Sequence, residues 1–97
     1  MKSWLEDIDG AASEAEVVRH ARDFCSLLHP RDLEPLPRNC REVRVESDAD
    51  IAMTHAKIAR GYAELRAHVS EVEKLRDLLT LLSRAAERLA ELRRATR

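Results

Sequence analysis

Aromatic residues are nearly missing from this chain: one Trp, one Tyr and one Phe among 97 residues. Glycine is scarce at two, and proline occurs three times, all within residues 30–37. Strands favour β-branched and aromatic side chains, so a barrel or sandwich is disfavoured, while helices have few interior breakers. Acidic and basic residues nearly cancel, leaving a net charge of −1. A total this close to zero provides no general pull toward nucleic acid or an anionic membrane. No apolar run approaches the roughly 20 residues that span a bilayer. Residues 1–12 lack the basic start and continuous apolar core of a signal peptide, which leads to the expectation of a cytoplasmic protein. Cys25 and Cys40 are too few for a disulfide framework and are read as reduced thiols.

What remains is Leu, Ala and Val set among many charges, in a length suited to a single domain over residues 1–97. The expected fold is all-α: a small helical bundle with a long C-terminal amphipathic helix and coiled-coil-like packing. A domain this small buries a limited fraction of its surface, which favours completing its core by association.

Trp4, Leu5 and Ile8 share one side of a helical turn or two, and Asp9-Gly10 reads as a turn. This segment is expected to strap Trp4 over a helix face. Ser13 and Glu16 have capping-box spacing and open a helix expected over 13–28, with Val17, Val18, Ala21, Phe24, Cys25 and Leu28 on its apolar stripe. Spacing of i,i+4 predicts Glu16–His20 and Arg19–Asp23 pairs. Pro30 closes the helix. The connector, 30–46, has room for one helical turn within Asp32–Leu36. Arg41–Glu46 alternates charged and apolar residues with Val43 and Val45 inward, a weak strand signal that either extends over the helices or pairs with its copy in a dimer, the extended strap being the preferred reading.

Ser47 and Asp50 form a second capping box. Beyond it, Ile51, Ile58, Leu65, Val72, Leu79 and Ala86 recur every seven residues, joined by His55, Tyr62 and Val69, then by Leu75, Leu82 and Leu89 in the a/d manner of a coiled coil. Leu78, Leu81, Ala85 and Leu92 widen the stripe beyond a two-stranded seam. Residues 48–95 are either one helix of roughly 70 Å or a pair broken at His68–Ser70. Because the register continues in phase across Ser70, where neither Gly nor Pro stands, the unbroken helix is the preferred reading. It cannot cover its stripe on the first helix alone. A homodimer or tetramer follows, with Ile51, His55, Ile58, Tyr62, Leu65, Val72, Leu75, Leu79, Leu82 and Leu89 in the interface. The partner is a second copy, or another protein's helix.

Chemistry finds little support. Cys25, His29 and Cys40, with His20 or His55, would make a four-ligand zinc set, but no CxxC is present and Cys25 sits in an apolar stripe as an ordinary small core residue. Cys25 with His29 as nucleophile and base lacks an oxyanion hole. No phosphate loop, HExxH or EF-hand occurs. No metal, cofactor or catalysis is therefore expected. His55 is read as a buried, hydrogen-bonded residue that fixes helix register, the alternative being a histidine whose protonation loosens an interface. The chain resembles short, Ala/Leu/Arg/Glu-rich bacterial helical proteins in composition only, which transfers no residue role. The functional expectation is a non-catalytic protein–protein interaction, structural or regulatory protein. The alternative is a nucleic-acid-binding transcriptional regulator using the C-terminal arginines Arg84, Arg88 and Arg94, against which Glu87 and Glu91 are interleaved.

Overall fold

The structure, a computed structural model, describes residues 3–66 and 73–95. Among these residues the only regular structure is helical: α1 Trp4–Asp9, α2 Glu14–Ser26, the single turn α3 Pro30–Leu33, a 3-10 turn at Arg38–Cys40, α4 Asp48–Arg66 and α5 Glu73–Ala95. The expected all-α bundle is what forms.

Local chemistry places each start. Ser13 Oγ accepts from the Glu16 N–H at 3.2 Å, and the Glu16 carboxylate reaches back to the Ala12 N–H at 3.0 Å. At α4 the Asp50 carboxylate accepts from Ser47 N–H at 3.1 Å and Glu46 N–H at 2.9 Å, while Ser47 Oγ accepts from Asp50 N–H at 3.4 Å. These side chains satisfy donors that a helix start leaves open. The two i,i+4 pairs expected on α2 do not form: Glu16 is engaged by its cap, and Arg19, His20 and Asp23 have no ion pair among the described residues. α2 ends at Ser26, before the expected Leu28, and Pro30 opens α3 rather than only closing α2. Pro supports a first turn because its missing N–H would be unpaired there.

The preferred single long helix is not what is present. Residues 48–66 and 73–95 are separate helices packed on one another. The greatest extent of the molecule is 44 Å, too short for a helix of roughly 70 Å. Folding back lets the two halves of the apolar stripe bury each other within one chain. The break predicted at His68–Ser70 lies outside the described residues.

α5 touches α1, α2, α3 and α4. Its Leu75, Leu78, Leu81, Leu82, Ala85 and Leu89 join Ile8, Val17, Ala21, Leu36, Ile51 and Ile58 in one core. α1 acts as the expected strap: Ile8 is fully buried and Trp4 meets Phe24 edge-on, ring centroids 5.7 Å apart. The 41–45 segment runs without turn or bend, Val45 buried and Val43 half-buried. No helix among the described residues is long and apolar enough to cross a membrane.

Candidate protein-binding surfaces

The ten residues assigned to an interface divide into two groups. Ile51, Ile58, Leu75, Leu82 and Leu89 are covered by the chain's own helices. Their burial needs no second copy. His55, Tyr62, Leu65 and Leu79 are half-buried, and Val72 lies outside the described residues. His55 is half-buried rather than buried and makes no hydrogen bond among the described residues, so the expected register-fixing hydrogen bond is absent there. Tyr62 Oη is buried without a hydrogen-bond partner there.

At about 100° per residue, Ile51 and Ile58 mark the buried line of α4. To one side lie Thr54 and Gly61. Thr54 Oγ1 donates to the Arg44 carbonyl at 2.9 Å, and Gly61 lies against Cys40. To the other side lie His55, Ala59 and Tyr62, with Ala52, Ala56 and Ala63 exposed beyond them. On α5, Arg88 marks the flank toward α1 and α2, since its Nη2 donates to the Ala11 carbonyl at 2.9 Å. The opposite flank carries Leu79, Ser83, Ala86 and Ala90. Between Ala52 and Ala63 on α4 and between Leu79 and Ala90 on α5 these flanks carry no formal charge; Arg66 and Arg76 continue the same flanks toward the α4–α5 connection.

The arginine-rich end of α5 serves the fold. Arg84 binds Asp9 and donates to Glu87 and Glu91 at 3.1 Å; Arg88 donates to Glu91 at 3.1 Å. Arg93 donates to Glu14 at 2.6 Å and also binds Asp48. Acidic groups of α1, α2 and α4 are thus clamped to α5. Arg94 is exposed.

Two carboxylates, Glu91 within α5 and Asp50 at the start of α4, should make stability acid-sensitive. Hydrogen bonds from Arg84, then Arg88, hold Glu91 below its ordinary value of 4.5; the Glu46 backbone N–H, ahead of Ser47, holds Asp50 below 3.8. The unfolded chain takes up these protons first as pH falls. The stabilisation is complete above the ordinary values and is lost as pH drops through the lowered folded ones. The melting temperature is expected to be level down to about pH 5 and to fall below about pH 4.5. Glu91→Gln should lower the neutral value and flatten the acid decline; a parallel decline in the variant would remove Glu91 from this account.

Cys25 and Cys40 are free thiols. Burial pushes Cys25 up to about 11, which keeps it in the unreactive thiol form. His29, its supposed companion, instead begins α3, donating its N–H to Asp32 at 2.8 Å. No group of three or more His, Cys, Asp or Glu among the described residues is arranged to hold a metal.

Open clefts border the strap. One of about 450 Å³ is lined by Val18, Arg19 and Arg22 of α2 and by Glu46, Ser47 and Asp48. A second, of about 250 Å³, continues it past Arg22, Cys25 and Ser26 against Val43 and Arg44. Spacing did not reveal this furrow, since Arg19 was assigned to Asp23; the alternation in Arg41–Glu46 was the available signal. No protein-family model matches the chain, and neither a curated protein nor a solved structure is significantly similar to it.

Proposed function

We propose that this chain is a non-catalytic protein-interaction protein acting as a helical homo-oligomer, with a second copy seated on the outer flank of α4 and α5. The observation that carries this reading is the uncharged band from Ala52 to Ala63 and from Leu79 to Ala90. Charged residues make up 36% of the chain, and these stretches carry none between Arg66 and Arg76 at one end and Arg84 and Glu87 along the α5 border. Small side chains let helix axes approach closely, and the half-buried Tyr62 and Leu79 leave apolar area for a partner to cover. A two-fold contact sets the same patch against itself, and an uncharged patch meets its copy without like-charge conflict. The carboxylate partners of Arg84, Arg88 and Arg93 favour a protein partner over a nucleic acid, because phosphate would have to displace them.

The test is absolute mass by light scattering across a concentration series. A mass twice or four times the 11.1 kDa chain is expected. Leu79→Asp should return it to one chain while leaving helix content unchanged, since Leu79 is only half-buried; Ala86→Arg is the second variant, and should act alike. A single-chain mass throughout, or an unchanged mass in both variants, refutes the proposal.

A further inference from the structure

The furrow between α2 and the 41–47 strap combines two properties that nothing within the fold uses. The first is an open main chain. Among the described residues, no backbone N–H between Glu42 and Val45 makes a hydrogen bond, and only the Arg44 carbonyl is engaged, by Thr54. Val43 and Val45 face inward and hold the segment on the helices, so these backbone groups stay in place. An unpaired, anchored, unbent segment of this kind is a template for another extended chain.

The second property is unclaimed positive charge. Arg19 and Arg22 line the larger cleft, and among the described residues neither has a carboxylate or carbonyl partner. The acidic groups that line the cleft with them are already engaged. Glu14 and Asp48 bind Arg93, and Glu46 binds Arg44 at 2.8 Å. Arg22 lines both clefts, so the charge sits beside the open main chain.

We propose that this furrow binds an extended acidic peptide segment of another protein. The segment lies along residues 42–45 through main-chain hydrogen bonds and sets its carboxylates against Arg19 and Arg22. Guanidinium groups favour carboxylates through paired, charge-assisted hydrogen bonds. Four strap residues span about 13 Å, which limits the recognised segment to a few residues. A nucleic acid fits less well, because no aromatic side chain lines either cleft to stack a base and the strap presents peptide groups. This surface is separate from the α4–α5 flank, so it stands or falls independently of self-association.

Fluorescence anisotropy with the full chain tests it, using a fluorescein-labelled octapeptide of alternating Glu and Val. Saturable binding that weakens with salt is expected. Arg19→Glu with Arg22→Glu should weaken it by about tenfold or more, because a like charge replaces each partner. Both side chains are exposed, and the single variant Arg22→Gln, expected to weaken binding less, covers the case in which the double variant does not fold. Methylating alternate backbone nitrogens of the peptide should also abolish binding. Failure to bind at millimolar peptide, equal binding of an alternating Lys and Val peptide, no loss in the arginine variants, full binding of the methylated peptide, or preference for a single-stranded oligonucleotide would each overturn the proposal.

Discussion

Leu82→Ala is expected to destabilise the protein by about 3–4 kcal/mol, lowering the melting temperature by about 15–25 °C. Leu82 is fully buried on α5, within the cluster that joins α4 and α2 to that helix. Truncation removes apolar contacts and leaves a cavity that rigid helix backbones close only in part. A domain of this size has a total stability of about 5–15 kcal/mol, so the loss is a large share of the whole. Leu79→Ala, one turn earlier and half-buried, should cost under about 1.5 kcal/mol. Urea titration at two protein concentrations checks both. If Leu82 acts inside one chain, its loss is the same at either concentration. A loss that shrinks as protein is added would return Leu82 to a contact between subunits.

Gly61→Ala should also destabilise, although alanine is the better helix former by about 1 kcal/mol. A Cβ built at Gly61 would lie 2.8 Å from Cys40 Cβ, 3.1 Å from Cys40 Sγ and 3.2 Å from Leu36 Cδ2. The closest of these atoms is fixed to the backbone of the 3-10 turn, so no rotamer change relieves it. The turn must move away from α4, uncovering the buried Leu36 and Cys40, at a cost of about 1–3 kcal/mol that outweighs the helix gain. Cys40→Ala removes Sγ but keeps Cβ, and should rescue only a small part. Thermal melts of the two single variants and the double variant decide this. A Gly61→Ala protein more stable than the parent would mean that the turn yields freely.

Both caps of α2 and α4 were legible in the sequence because their chemistry is local: Ser13 with Glu16 and Ser47 with Asp50 lie three positions apart and need no tertiary context. The strap character of 41–45 was legible for a similar reason, through alternation. The fold-back between α4 and α5 was not. A seven-residue repeat looks the same whether its stripe faces a second chain or the other half of its own, so an in-phase register across Ser70 carries no information about direction. Leu36 was missed as core because it stands between Pro35 and Pro37, where periodicity has nothing to count. The pairs that join the helices, such as Arg84 with Asp9 and Arg93 with Glu14, depend on how α5 lies across the bundle and have no local signature. The furrow's free arginines became visible only once Arg19 was seen not to pair with Asp23.

α5 is the element every other helix leans on, and it follows all of them along the chain. Six of the fifteen buried apolar residues among the described ones belong to it. During synthesis α1 to α4 therefore leave the ribosome before the surface they pack against exists. Their apolar faces stay open in the nascent chain, available to chaperones, until α5 emerges and closes the core in one step. The contacts that seal it join residues 75 to 79 positions apart, such as Arg84 with Asp9 and Arg93 with Glu14. Closing so long a loop is a slow requirement for a helical protein, whose packing is otherwise mostly local. Closure of the core is thus tied to synthesis of α5: a chain stalled before residue 73 would carry the sequence of four helices without six of the fifteen buried apolar residues that hold them together.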